Sequence, residues 1–162
     1  AEKIMSQIKV DSIIPRNGVP SGSQGGIIQY KYVSNSSIRS TTSNTFVNSG
    51  LSITITPQSS DNKIIVRAYG VGFNNNMNSS GGAITIYRGT STNIDPQGGD
   101  GAVMLGEDDS NNLESTICCE FIDSPNTTSS VTYNVFFRRI TGGEFFFGKR
   151  TTGAIIALEV SA

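Results

Sequence analysis

Acidic side chains form one cluster in this chain, at Glu107, Asp108 and Asp109, with Asp100 before it and Glu114 after it. Carboxylates and loop carbonyls are the ligands that Ca²⁺ takes, so a calcium site is one interpretation. The run lacks the spacing of a calcium-binding loop, and adjacent side chains on an extended chain point apart. A glycosidase would need two acids facing each other across a cleft, and no pair stands out. We interpret the cluster as a solvated loop and predict no metal and no cofactor.

Other common catalytic groups are absent from the sequence or lack a suitable neighbour. The chain contains no histidine, which is the most frequent general base and metal ligand. A serine nucleophile would then need a lysine base, and none of the lysines lies in a recognisable motif. The Gly-Gly pairs at 81–82, 98–99 and 142–143 do not lie between a strand and a helix, as a phosphate-binding loop does. We predict that the protein is not an enzyme.

The two cysteines, Cys118 and Cys119, are adjacent within an apolar run. Neighbours on a β-strand point to opposite faces of the sheet, and a disulfide between adjacent residues is strained. The pattern therefore predicts two reduced thiols that act as small strand residues.

Length, composition and charge restrict the class of protein. The chain has 162 residues, which suits a single domain. It contains 22 Ser, 15 Thr, 14 Asn and 18 Gly, a composition that favours turns and short strands over long helices. The net charge of −1 offers no basic field for nucleic acid. No segment approaches the roughly 20 apolar residues of a membrane helix, so we predict no membrane insertion.

Hydrophobic residues alternate with a period of two along most of the chain, as in half-buried strands. Leu51, Ile53 and Ile55, for example, alternate with serine and threonine. Nine candidate strands follow from this pattern, at 27–33, 51–55, 63–71, 83–88, 102–105, 116–123, 130–140, 144–147 and 154–161. Since no window carries a helical stripe, parallel crossovers are excluded. We predict an all-β fold: an antiparallel β-sandwich of jelly-roll type with eight or nine strands.

The first 25 residues differ in character from the rest. They contain few apolar residues and end in turn formers and a Gly/Ser linker, so they cannot bury enough surface to fold alone. We predict an extended N-terminal arm over 1–25, followed by a β-sandwich domain over 26–162. The candidate docking residues of the arm are its apolar residues and one proline, namely Ile8, Val10, Ile13, Ile14 and Pro15.

A polar loop is the first candidate contact surface. It contains the side-chain amides of Asn74, Asn75, Asn76 and Asn78, which suit hydrogen bonding to sugar hydroxyls. These residues are therefore a candidate receptor-facing loop. An ordinary exposed loop is the interpretation that we favour, because asparagine forms turns readily.

Large aromatic residues form the second candidate surface. Phe136, Phe145 and Phe147 lie in strands that are apolar on both faces, and each face needs a cover. The opposing sheet is one cover. The other is either a neighbouring subunit, which makes these three residues a candidate subunit interface, or a second core layer within the monomer, and the sequence favours neither. Beside them, Arg138 and Arg139 are expected to pair with Glu120 or Glu144 across a sheet.

Several segments, taken in order, resemble one known type of domain. They are the strand-and-turn run 41–66, the Ile-Ile-Gln start at 27–29, the segments 87–94 and 121–133, the Gly-Gly hairpin at 142–143 and the last strand, ending at 157–162. This order is similar to a β domain found in tail-fibre and other structural proteins of bacteriophages, especially marine and cyanobacterial ones. Residues 7–20 resemble the leader that precedes such domains.

The resemblance implies a virion protein, located in the virus particle, that forms a homotrimer and docks on a phage capsid or tail protein through its N-terminal arm. No long fibre shaft is present, which favours a short fibre, a knob or a capsid decoration protein. The main alternative is a carbohydrate-binding module that recognises a host surface glycan. A polysaccharide depolymerase, based on the acids at 107–109, is a third hypothesis.

Overall fold

The computed structural model describes residues 26–75, 80–106, 112–149 and 152–161, and these residues form strands and turns without a helix. The predicted all-β fold and the antiparallel sandwich are confirmed. The eleven strands are β1 (Ile27–Asn35), β2 (Arg39–Thr41), β3 (Val47–Ile55), β4 (Lys63–Asn75), β5 (Ser80–Arg88), β6 (Thr92–Asn93), β7 (Ala102–Gly106), β8 (Asn112–Asp123), β9 (Val131–Thr141), β10 (Phe145–Phe147) and β11 (Gly153–Val160). The predicted arm at 1–25, with Ile8, Val10, Ile13, Ile14 and Pro15, lies outside the described residues.

The strands form two antiparallel sheets. In sheet A, β4 pairs with β8 along one edge and with β11 and then β10 along the other, while β1 pairs with β11 and β2 with β10. In sheet B, β9 lies between β3 and β5, and the other edge of β5 pairs with β7 and β6.

The prediction of eight or nine strands omitted β2 and β6, which have only three and two residues. Such short strands carry too little alternation to be recognised in a sequence. In the sheets, however, they continue longer neighbours. β10 and β11 both run antiparallel to β4, as the pairs Phe147–Gly72 and Ala154–Tyr69 show, so they are two parts of one interrupted strand. In the same way, β1 and β2 are two parts of one interrupted strand, and so are β6 and β7. When each interrupted strand is counted once, each sheet has four strands, which we call its strand positions.

The core lies between the sheets and is built from the residues that the alternation singled out. Leu51, Ile53 and Ile55 of β3 face Ile64 and Val66 of β4, and all are buried. The outward neighbours Ser52 and Thr54 are partly or fully exposed. Alternate side chains of a strand therefore separate apolar from polar, which is the physical basis of the period-two signal.

The sandwich has two distinct ends. At the proximal end, which contains Gly26, Ser161 and the loop 56–62, the chain enters the domain, and the backbone N–H of Ser161 donates to the carbonyl of Gly26 over 3.1 Å. At the distal end lie Asn75 and the turn after Thr141. β4 connects the two ends with 13 residues, about 40 Å at the usual rise of a strand.

Candidate functional site

The predicted receptor-facing loop begins later in the chain than expected. Asn74 lies within β4, is fully buried, and its Nδ2 donates to the carbonyl oxygens of Gly81 and Thr141 at 3.3 and 3.1 Å. The assignment of Asn74 as a receptor contact is therefore wrong, because its amide joins the distal ends of the two sheets.

The other asparagines of this predicted loop are not placed by the structure. Asn75 is the last residue of β4, and Asn76 and Asn78 lie outside the described residues. For these three residues the receptor-facing role stays a prediction.

Two of the three predicted interface phenylalanines belong to the core. Phe145 and Phe147 are buried between the sheets, against glycines that leave room for their rings. A Cβ atom on Gly82 would lie 2.1 Å from Cδ2 of Phe145, and one on Gly70 would lie 2.8 Å from Cε2 of Phe147. Assigning these two rings to a subunit interface is wrong. They form the second core layer within the monomer that was the alternative.

Phe136 lies on the opposite, outer face of sheet B. Its ring stacks on Tyr87 at a centroid distance of 4.2 Å, and the residue is 8% exposed. The segment that follows β5 contributes to the cover of this face: the hydroxyl of Thr85 donates to Asn93, and Arg138 forms an ion pair with Asp100. An interface at Phe136 stays a prediction.

The predicted pairing of the adjacent arginines with Glu120 is wrong, whereas a pairing with Glu144 stays a prediction. Arg138 pairs with Asp100, and the guanidinium of Arg139 donates to the side-chain oxygen of Asn44. Glu120 instead pairs with Arg67 on the neighbouring strand β4. The cross-strand partners depend on the register, which the sequence does not display.

The predicted loop acids Glu107, Asp108 and Asp109 lie outside the described residues. Within the described ranges, no group of three or more histidine, cysteine or acidic side chains could hold a metal ion. Asp95, which is buried, organises its own loop: its carboxylate accepts from the backbone N–H groups of Gln97 and Gly101 at 2.9 and 3.0 Å.

Two buried acids, which the sequence analysis did not single out, hold the proximal end together. Glu159 of β11 accepts from Asn62 Nδ2, the Gln58 N–H and Gln29 Nε2 at 2.6, 2.7 and 2.5 Å. It thereby ties the first and last strands to the loop between them.

Asp123 is the second of these acids. It accepts from the hydroxyl of Tyr133 at 2.7 Å and from Arg88 at 3.0 Å. Burial first, and then the Asp123 carboxylate, raises the pKa of Tyr133. Both acids are used structurally, since their oxygens are taken up by donors of the chain itself.

The cysteines follow the prediction of opposite faces: both thiols are free, Cys118 is exposed and Cys119 is buried. Burial raises the pKa of Cys119 to about 12, with a smaller contribution from the neighbouring Cys118. A thiol with such a pKa is unreactive near neutral pH, because the thiolate is the nucleophile.

The outer face of sheet A carries a row of apolar side chains that the sequence analysis missed. Tyr30, Leu158, Ile65 and Ile122 lie side by side on β1, β11, β4 and β8, in one row across the sheet. Their inward neighbours, such as Ile64, are buried in the core, so this row points outward. Alternation at 30 and 32 was a visible signal, but strand β8 and strand β1 are neighbours of the same sheet only in the tertiary structure.

The next rows of this face contain polar and apolar groups. Tyr32 and Ile156 lie in line with the ion pair Arg67–Glu120, and Tyr69 is paired with the exposed Cys118. We call the outward residues of these rows the sheet A face; they are Tyr30, Tyr32, Ile65, Arg67, Tyr69, Cys118, Glu120, Ile122, Ile156 and Leu158.

In the part of the chain that the structure describes, no helix is long and apolar enough to span a membrane. No protein-family model matches the chain, and no curated protein is significantly similar to it in sequence.

Proposed function

We propose that this chain is a non-enzymatic structural protein of a bacteriophage particle, a short fibre, knob or capsid decoration protein. Residues 1–25 dock on a capsid or tail protein, and the β domain is displayed outward. The observation that carries the proposal is the placement of the two ends. The chain enters the domain at the proximal end, while the Asn-rich loop leaves β4 at the distal end, about 40 Å away.

This placement suits a tethered module. A segment that is anchored on a particle before Gly26 holds the proximal end close to the particle and directs the distal end away from it. The link between Gly26 and Ser161, and the Glu159 network beside it, brace the domain where such a tether would pull. The resemblance of the segments 41–66 and 121–133 to phage fibre domains supports the same function.

We infer further that the sandwich is of the jelly-roll type. With interrupted strands counted once, the first position pairs with the eighth (β1 with β11), the second with the seventh (β3 with β9), the third with the sixth (β4 with β8) and the fourth with the fifth (β5 with β7). Rolling up one long antiparallel hairpin produces this nested pairing, which is the arrangement of two Greek keys in a double sheet.

The experiment that tests the particle-docking function uses the full chain. An antibody raised against the protein is expected to label purified phage particles from the source that carries the gene. The variant with Ile13→Asp and Ile14→Asp is expected to lose its binding to particles stripped of the wild-type protein. The variant Ile38→Asp, which changes an exposed isoleucine of the domain, should still bind. Particles without label and without affinity for the wild type would overturn the proposal.

A second candidate function is the recognition of an acidic host glycan, favoured by a groove near the distal end. The groove has a volume of about 400 Å³ and lies between β2 and the start of β3, lined by Ile38, Arg39, Ser40, Val47, Asn48, Ser49, Gly50 and Phe137. Among the described residues, the guanidinium of Arg39 has no hydrogen-bond or ion-pair partner, whereas those of Arg67, Arg88 and Arg138 all form ion pairs. A guanidinium binds carboxylate and sulfate groups well.

A glycan array tests this candidate. Binding to sialylated or sulfated glycans that is lost in Arg39→Ala and kept in Arg67→Ala would support it. Equal binding by both variants, or no binding by the wild type, would contradict it.

A further inference from the structure

We propose that residues 7–14 pair, as a strand, with the free edge of β1 in the same chain while the protein is free in solution. The inference goes beyond the proposed function, because it concerns the protein before it docks on a particle. On docking, these residues would leave β1, so their apolar side chains would exchange one cover for another.

β1 is exposed to an unusual degree for a strand of a sandwich. None of its nine residues is buried, whereas β3, which has the same length, buries four. In the described part of the chain, seven large hydrophobic residues are exposed, and four of them lie on β1, namely Ile27, Tyr30, Tyr32 and Val33. Contiguous exposed hydrophobic residues mark a site of interaction, so β1 needs a cover.

The cover must reach both faces and one edge of β1. Tyr30 and Tyr32 lie on the outer face, at 58% and 47% exposure. Val33 is paired with the buried Ile155 and so shares its inward face, yet it is 38% exposed. β1 pairs with β11 along one edge, and within the described ranges no strand pairs with the other. An unpaired edge offers its backbone N–H and C=O groups to a further strand, so an extended segment fits this site.

The chain has such a segment directly before β1. In residues 7–14, Ile8 and Val10 alternate with Lys9 and Asp11, as in a strand. Eight extended residues span about 27 Å, close to the length of β1. The 12 residues from 15 to 26 contain two prolines and four glycines, and they are long enough to return the chain to a strand about 5 Å away. Strands that follow one another in the chain are usually neighbours, which favours this occupant.

Charge complementarity indicates which residues face each other. Within the described residues, the ammonium group of Lys31 has no hydrogen-bond or ion-pair partner. In an antiparallel pair that places Asp11 opposite Lys31, Val10 lies opposite Tyr32. Opposite charges and aliphatic–aromatic pairs are both favourable across a sheet. A shift by one residue would place Val10 against Lys31 and lose both contacts.

Hydrogen exchange of the full chain at low protein concentration, resolved by residue with NMR, tests the pairing. We expect backbone N–H groups within residues 7–14 to exchange at least about tenfold more slowly than in an isolated peptide of the same sequence. Tyr30→Ser removes an apolar contact from β1 and should accelerate this exchange about two- to fivefold. The matched control is Ile122→Ser, at the opposite end of the same row of the sheet A face, where the isoleucine is 67% exposed. It should leave the exchange unchanged.

Three results of this experiment would overturn the proposal. Exchange at the rate of the isolated peptide would show that residues 7–14 are unpaired. Acceleration in Ile122→Ser but not in Tyr30→Ser would place them at the β8 edge of sheet A. Slowing of exchange that increases with protein concentration would place them on another copy of the chain.

A pair of introduced cysteines tests the register and leaves Asp11 and Lys31 in place. In the background Cys118→Ser, the variant Val10→Cys with Tyr32→Cys should form a disulfide within one chain, because residues directly opposite each other are within bonding distance. The control, Val10→Cys with Val33→Cys, places the two thiols on opposite faces and should form it at least about tenfold more slowly.

Equal rates of disulfide formation, or a faster control, would contradict the pairing of Val10 with Tyr32. Both experiments use the free protein, and binding to particles is measured separately. Failure of the contact with β1 and failure of the virion function are therefore distinguishable.

Discussion

The ring of Phe145 occupies the place that a side chain on Gly82 would need, with Cδ2 of the ring 2.1 Å from the position of a glycine Cβ. The two residues come from sheets A and B, so their contact sets the distance between the sheets at the distal end. A fully buried ring has no room to move aside, because protein interiors are close-packed. Here the missing side chain of one residue is as important as the ring of the other.

Gly82→Ala is therefore expected to destabilise the protein by at least about 2 kcal/mol, measured by urea unfolding, since a methyl group would overpack the core. The matched control is Gly99→Ala, whose Cβ would meet one backbone oxygen at 4.0 Å. In the background Phe145→Leu, the cost of Gly82→Ala should shrink, and an unchanged cost in this double-mutant cycle would contradict the contact.

The Glu159 network predicts a large difference between two substitutions. Glu159→Ala leaves the donors of Asn62, Gln58 and Gln29 without their buried acceptor, and we expect a loss of at least about 3 kcal/mol in unfolding free energy. Glu159→Gln should lower the unfolding free energy less than Glu159→Ala does, because the amide oxygen of glutamine still accepts hydrogen bonds. Some loss remains, since its NH₂ group faces a donor of the chain. Glu120→Ala, at an exposed glutamate, should cost under about 1 kcal/mol. Equal effects of the three variants would refute the assigned role of Glu159.

The Asp123 cluster predicts an order of effects at three positions. Tyr133→Phe removes one hydrogen bond and leaves Asp123 paired with Arg88, so a loss of about 1–2 kcal/mol is expected. Asp123→Ala removes the acceptor of both donors and should cost about 3 kcal/mol or more. Tyr87→Phe is the control, because its ring stacks on Phe136 through apolar surface. Thermal unfolding measures all three, and a reversed order would show that the cluster is not coupled.

The buried thiol of Cys119 predicts both reactivity and an alkaline loss of stability. In the variant Cys118→Ser, the remaining Cys119 should not react with a thiol reagent near neutral pH until the protein is unfolded, since burial raises its pKa to about 12.

The raised pKa also sets the sign of the pH effect. The unfolded chain releases this proton near pH 9 and the folded chain near pH 12, so the contribution of Cys119 is complete below pH 9 and is lost as the pH rises between these values. Cys119→Ala should therefore show a smaller loss of stability than the wild type in this range. An identical pH dependence in both proteins would contradict the assignment.

The alternation of side chains was sufficient to predict most of the fold. The predicted strands at 51–55, 63–71 and 130–140 all exist, and most of their apolar residues lie in the core. The residues at which the strands begin and end were less predictable. β4 continues four residues beyond 71, because Gly72 and Phe73 pair with β10 and Asn74 finds carbonyl acceptors on sheet B. In the sequence, a polar residue such as Asn74 is typical of a turn. In the structure, its carbonyl partners on sheet B place it within a strand.

The candidate surfaces were less accessible to sequence reasoning than the fold. Phe145 and Phe147 lie in a segment that is apolar on both faces, which in the sequence is compatible with a subunit interface. They are buried within the monomer because Gly82 and Gly70, more than 60 residues away in the chain, leave space for their rings. Conversely, Tyr30, Ile65 and Ile122 are unremarkable within their own segments and become a row through the strand registers.

The sequence by itself determined the secondary structure class, the position of most strands and the identity of most core residues, because the pleat of a strand imposes a local period of two on hydrophobicity. It also determined the opposite placement of Cys118 and Cys119. Only the tertiary structure decided which aromatic residues are covered and which acids are paired. These outcomes depend on contacts between segments that are distant in the chain, and such contacts are set by register and packing rather than by local pattern.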